Sequence, residues 1–177
     1  MNETSDHGTL IAALAPVVSD ALREHALTFK VLPCDASLAD TAVFCEHYGF
    51  SLDDSANAIL IGSRSGEPRH ALCVLLATTR LDTNKVARKK LGVRRVSFAD
   101  PEVTRELTGM ELGGVTPFGL PASLPLWIDS RVMQRESVIL GGGNRESKLV
   151  MDPGELIKLP GAEIVDALAK SPVEAAP

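Results

Sequence analysis

The segment TGMELGGVTPFGLPASLPLWID, Thr108 to Asp129, concentrates glycine and proline in front of an apolar run. Gly113 and Gly114 admit φ > 0 and let a ligand or a second backbone come close. Pro117 sets its own φ and biases Thr116 toward extended geometry; Gly119 and Pro121 repeat the pairing. Mobile positions held between rigid ones can aim successive N–H groups at one point. Such a group binds an anion or polarises a carbonyl oxygen. A turn-rich connection between a helix and a strand has the same composition, because turn residues cluster in loops.

Other candidate chemistry is weaker. GGGNRES, from Gly141, lacks the Gly-Lys-Ser/Thr ending of a phosphate loop and precedes a strand, so a hairpin turn beside the loop is expected. Cys45 and His47, with Cys34 upstream, match no standard zinc spacing, and residues two apart on a helix do not face each other. No metal and no cofactor is expected. His70 opens an apolar strand and is expected to be an edge residue, not a base. A serine-hydrolase elbow, Gly-x-Ser-x-Gly, is missing. Trp127 is the sole tryptophan, and core packing or one wall of a pocket would both suit it.

Between Arg80 and Arg95 the chain carries seven basic residues and one acid, Asp82. On a helix, Val86, Ala87 and Leu91 would face the core while Lys85, Arg88 and Lys89 face outward. That is a local phosphate-binding face or an ordinary solvated one. The net charge of −5 argues against a general polyanion binder.

These groups must be positioned by a chain of 177 residues, 45% apolar and 23% charged, which suits one globular domain. No apolar run nears the roughly 20 residues of a membrane span, and the N-terminus lacks the basic start of a secretory signal. Three irregularly spaced cysteines fit reduced cytoplasmic thiols better than a disulfide framework. Residues 1–8 and 171–177 are expected to be flexible, with a single domain over 9–170.

Periodicity predicts a helix from near Thr9, a strand over 27–33, a helix over 37–49 ended by Gly49, and strands over 57–63 and 70–79. A helix over 80–92 capped by Asp82 or Thr83, a short strand over 94–99, and a helix over 100–109 with Asp100, Pro101 and Gly109 at its ends follow. Strands are expected over 124–129, 136–142 and 146–152, then closing helices over 152–159 and 162–170. Elements mix without regular βαβ alternation, which favours α+β with a mostly antiparallel or mixed sheet.

LTGMELGGVTPFGLP…LPLWID followed by VILGGGNRESKLVMDPGELIKL resembles the YbaK-like family, also called the prolyl-tRNA-synthetase-associated editing domain. The resemblance runs from about Leu27 to Ala169. Its most specific part is the Gly-x-x-x-Pro loop, Gly113 to Pro117; the strand ending in Asp129, the glycines Gly141 to Gly143 and the helix before Gly92 support it. It implies a single α+β domain with a mixed, strongly curved, barrel-like sheet surrounded by helices. It also implies hydrolysis of the ester bond of mischarged tRNA in trans, the loop holding the aminoacyl group against the 3′-terminal adenosine. The implied partners are the acceptor end of a mischarged tRNA and an aminoacyl-tRNA synthetase, with no membrane.

The family usually carries a lysine where Asn57 stands here, at the start of the strand NAILIGS. Asn57 can donate and accept hydrogen bonds but carries no charge. The alternative is therefore a non-catalytic module of the same fold that binds charged tRNA or a synthetase. The catalytic set implied is Asn57, Gly113, Gly114, Thr116 and Pro117. Substrate-binding residues would be Val115, Phe118, Gly119, Trp127, Asp129 and Gly142, and tRNA-binding residues Arg80, Lys85, Arg88, Lys89 and Arg94.

Overall fold

The computed structural model describes residue 11 and residues 13–172. The reading of residues 1–8 as flexible, and of most of the tail, lies outside them. Helix α1 (Pro16–Glu24) begins at a proline, which has no N–H to leave unsatisfied there. The expected start near Thr9 falls partly on residues not described. Strand β1 (Lys30–Pro33) leads through a helical turn to α2 (Thr41–Tyr48), which ends on Gly49 at φ +75°. Two long strands follow, β2 (Ala56–Ser63) and β3 (His70–Leu76), then the short β4 (Arg80–Leu81).

The stretch expected as one helix over 80–92 is divided. After β4, Asp82 accepts from the Lys85 amide at 3.0 Å and starts a wide turn, Thr83–Ala87, which runs into α3 (Arg88–Leu91). Strand β5 (Val96–Phe98) and helix α4 (Pro101–Thr108) precede the glycine–proline loop. Beyond it lie β6 (Leu126–Asp129), β7 (Val138–Gly141), β8 (Ser147–Met151), a 3-10 segment over Pro153–Lys158, β9 (Ala162–Val165) and β10 (Ala169–Lys170).

The strands form three open sheets, in the orders β5-β2-β3-β6-β9, β1-β8-β7 and β10-β4. In the largest, β2 pairs antiparallel with β3 and β5, while β3–β6 and β6–β9 are parallel. The domain is thus mixed α+β, but among the described residues no sheet closes on itself, so the expected barrel-like curvature is not found. A parallel bridge between Ser55 and Ile139 brings the start of β2 beside β7 and joins the two larger sheets there. The main core lies under α1 and includes Leu22, Leu72, Phe118, Leu126, Ile128 and Leu149.

The closing helix expected over 162–170 is two strands instead. All four residues of β6 are buried, and β9 pairs with its otherwise open edge from Leu126 to Asp129. Unpaired backbone groups at a buried strand edge would be costly, so tertiary pairing overrides the helical pattern of AEIVDALAK. Ala167 at φ +54° breaks the segment between β9 and β10. The segment over 152–159 is helical as expected but 3-10, with the Asp152 carboxylate accepting from the Gly154 amide. Among the described residues no helix is long and apolar enough to cross a membrane.

Candidate functional site

Where β2 meets β7, a cavity of about 260 Å³ opens between the two larger sheets. The N-terminal half of β2 supplies Asn57, β7 supplies Ile139 to Gly141, α2 supplies Thr41 and Phe44, and the loop supplies Leu112, Gly113 and Val115. The Thr41 hydroxyl donates to Asn57 Oδ1 at 2.7 Å. With its oxygen engaged, the Asn57 side chain keeps its NH2 group as a donor with no acceptor among the described residues.

The loop is built by backbone approach. Gly113 sits at φ +87°, and a Cβ there would run into the Arg145 guanidinium. A Cβ on Gly114 would strike the Asn144 backbone, and one on Gly141 would meet the Gly114 carbonyl oxygen at 2.5 Å. The glycine loop and the glycine hairpin therefore lie backbone to backbone, which no side chain at these positions would allow. Two hydrogen bonds lock them, Glu111 N–H to Gly143 O at 3.3 Å and Gly143 N–H to Gly114 O at 2.7 Å, and a third, Gly114 N–H to Glu111 O at 3.0 Å, tightens the loop itself. The Gly114 amide is thus used within the loop. The amides of Gly113, Val115 and Thr116 donate to no acceptor among the described residues.

The residues anticipated for the site part company here. Asn57, Gly113 and Val115 line the cavity. Gly114 lies in the loop–hairpin contact, whereas Gly142 closes the hairpin itself: its N–H donates to the Ser147 carbonyl at 3.1 Å, and a Cβ on it would meet the Ser147 side chain. Thr116 is fully buried and its hydroxyl has no partner among the described residues. Pro117 and Gly119 face a separate groove against α1, and Phe118 is buried in the main core. Trp127 packs in a second cluster with Cys73 and Leu91, under the Lys90 ammonium. Asp129 is buried away from the cavity, its carboxylate accepting from the amides of Arg131 at 3.0 Å and Ala169 at 2.8 Å.

Of the basic residues, Lys85, Arg88, Lys89 and Arg94 border one shallow depression, and Arg80 lies apart on β4. The Arg64 amide donates to the Arg95 carbonyl at 3.1 Å, which fixes this patch to the far end of β2. Asn57 and Ser63, at opposite ends of that strand, are about 20 Å apart at roughly 3.3 Å per residue. Cys34 and Cys45 are buried around Phe44, while His47 is exposed. The Cys73 thiol is pushed up to about 12 by burial.

Among the lining residues that the sequence analysis missed, such as Asp40, Thr41 and Phe44, one is a buried cation. Lys148, on the middle strand of β1-β8-β7, is 6% exposed and reaches the cavity. Its ammonium donates to the Ala39 carbonyl at 2.7 Å and the Gly113 carbonyl at 3.4 Å, and sits 5.5 Å from the Phe44 ring centroid. Burial pushes its pKa below the usual lysine value, with the nearby Arg145 acting in the same direction. A charged residue inside the apolar strand SKLVM was the available signal.

The geometry can be set beside known proteins. A family model described as an aminoacyl-tRNA editing domain matches residues 35–159. The uncharacterized protein YwhH of Bacillus subtilis (strain 168) is 30% identical over 122 residues, covering 69% of this chain and 75% of that protein. A crystal structure described as a "putative trans-editing enzyme for prolyl tRNA synthetase" superposes with a TM-score of 0.73 at 28% identity, covering 86% of this chain and 97% of that one. That of the hypothetical protein APE2540 superposes at 0.76 with 25% identity, covering 87% and 99%. The matched span contains Asn57, the glycine–proline loop, the hairpin and Lys148, and on these grounds the chain belongs to the aminoacyl-tRNA editing domain family.

Proposed function

We propose that this protein is a trans-acting deacylase that hydrolyses the ester of mischarged aminoacyl-tRNA. The observation that carries this reading is the cavity between β2 and β7, with unengaged loop amides and the Asn57 amide group at its wall. An aminoacyl ester is already activated, so the protein need not supply a strong nucleophile. Positioning the carbonyl beside a water, with donors ready for the charge that grows on its oxygen, is the main requirement. In this proposal Gly113 and Val115 offer N–H groups to the acyl end, and Asn57 orients the carbonyl or a ribose hydroxyl. The vicinal ribose hydroxyl assists proton transfer. The depression at Lys85, Arg88, Lys89 and Arg94 takes phosphates of the same tRNA, beyond the single-stranded 3′ end.

The test is a panel of charged tRNAs: tRNA-Pro carrying Ala, Cys or Ser, and tRNA-Thr or tRNA-Ala carrying Ser. Release of an amino acid above the spontaneous rate is expected for at least one. Binding without release from any member would leave the alternative, a non-catalytic module of the same fold. That alternative draws on the uncharged Asn57, and Asn57→Lys gaining activity absent from the parent would favour it. Neither binding nor release would remove both.

A further inference from the structure

Asp40 and Lys148 are the two charged side chains among the described residues lining the cavity. They are not equivalent. Asp40 is exposed and 3.4 Å from Arg145 Nη1, which also reaches the Leu112 carbonyl. Lys148 is buried, and its recorded acceptors are two main-chain carbonyls, those of Ala39 and Gly113. It forms no ion pair among the described residues. A buried ammonium without a carboxylate partner is costly, and two neutral carbonyls leave its charge uncompensated. It has three N–H donors, so one remains after both contacts. A partner carrying negative charge, or developing it, would complete the arrangement.

We infer that Lys148 is the cation of this site: its ammonium, delivered from β8, donates a hydrogen bond to the acyl oxygen of a bound aminoacyl-adenosine and stabilises the negative charge that grows there. This rests on the deacylase reading. In the step it serves, the oxygen of water bonds to the acyl carbon and the bond from that carbon to the ribose oxygen breaks. One proton of the water passes to the departing ribose oxygen, and the amino acid leaves with a free carboxyl group. Lys148 stays protonated throughout. Asp40 on the rim then suits the substrate's α-ammonium, so the two charges orient the acyl group across the cavity. A purely structural role, stapling the Ala39 and Gly113 carbonyls, would need hydrogen bonds but no charge.

The groups facing Lys148 are Cys34 after β1, Asp40 and Cys45 from the α2 side, and Arg145 from the hairpin. Burial is the largest influence, and it holds the lysine pKa below its ordinary value. Activity that needs the ammonium should therefore fall as pH rises through that lowered value.

The experiment compares the full chain with Lys148→Gln, which keeps hydrogen bonding without charge, and with Lys148→Arg, which keeps the charge. Single-turnover release is followed across pH, corrected for spontaneous hydrolysis, with melting temperature as the check on folding. Lys148→Gln should be at least 100-fold slower, and Lys148→Arg should keep measurable activity with its alkaline limb moved to higher pH. A folded Lys148→Gln within threefold of the parent overturns the inference. If Lys148→Gln does not fold, an alkaline limb unmoved in Lys148→Arg overturns it, and a shifted limb supports it. If the parent releases nothing from any tRNA, the deacylase reading fails by itself. Binding of an amide-linked alanyl-adenosine then decides for Lys148: at least tenfold weakening in Lys148→Gln upholds the contact, and equal affinity removes it.

Discussion

The Thr41 hydroxyl, at the first residue of α2, holds Asn57 Oδ1 on β2 at 2.7 Å and so selects which end of the amide is free at the cavity. Thr41→Val removes that restraint while keeping the side chain's shape. A hydrogen bond of this kind contributes about 1 kcal/mol, so deacylation is expected to slow roughly fivefold. Single-turnover kinetics on the tRNA that the parent cleaves fastest will measure it, and an unchanged rate would remove Asn57 orientation from the mechanism.

Gly113 and Gly114 are adjacent but should fail differently. Gly114→Ala drives a Cβ into the Asn144 backbone, which cannot swing aside, and such overpacking typically costs about 1–3 kcal/mol. Gly113→Ala meets the end of the flexible Arg145 side chain at a positive φ, a strain of about 1–2 kcal/mol, and disturbs the cavity wall directly. Urea unfolding should show the greater loss for Gly114→Ala, and deacylation per folded molecule the greater loss for Gly113→Ala.

Asp129 is committed to the amides of Arg131 and Ala169. Asp129→Ala leaves these donors without their acceptor, and a buried unsatisfied group costs about 1–3 kcal/mol. A lowered urea midpoint is expected, with the single-turnover rate of the folded variant within threefold of the parent. A selective loss of rate at unchanged stability would return Asp129 to the site.

The depression bordered by Lys85, Arg88, Lys89 and Arg94 makes a salt-dependent prediction. Each phosphate contact contributes about 0.7–0.9 to the slope of log K against log salt. The double variant Arg88→Ala, Lys89→Ala should therefore reduce that slope by about 1.4–1.8. Filter binding of charged tRNA between low and moderate salt reads it, and an unchanged slope places the tRNA elsewhere.

Asp82 fastens β4 to β10 through Lys170 at 2.9 Å. Burial by itself pushes its pKa up, but hydrogen bonds from Lys170 and the Lys85 amide, with the charges of both lysines, hold it below the ordinary carboxylate value. Its contribution to stability is therefore complete above the unfolded pKa and is lost as pH falls through the lower folded one. Thermal melts from pH 7 downward should show Asp82→Asn less stable near neutrality, with the difference shrinking in acid. A constant difference across that range would mean the charge is not the cause.

Local signals survived from sequence to structure. Gly49, Gly92 and Gly109 were legible as helix ends because a left-handed cap is a property of one residue and its neighbours, and all three have φ near +70°. The Gly113 turn was legible because glycine carries that geometry by itself, and Asn57 was reached only through the family resemblance. The closing segment AEIVDALAK was not, since its strand state depends on an open edge of β6 more than thirty residues earlier. Lys148 was not either: in sequence it is one charge in an apolar strand. Its meaning comes from the Gly113 carbonyl 35 residues away and the Ala39 carbonyl 109 away. The amino-acid order alone determined most of the elements, the loop's capacity for close backbone approach and the family likeness. The packing of two open sheets decided which of those residues share a cavity, because burial and charge pairing are set by partners distant along the chain.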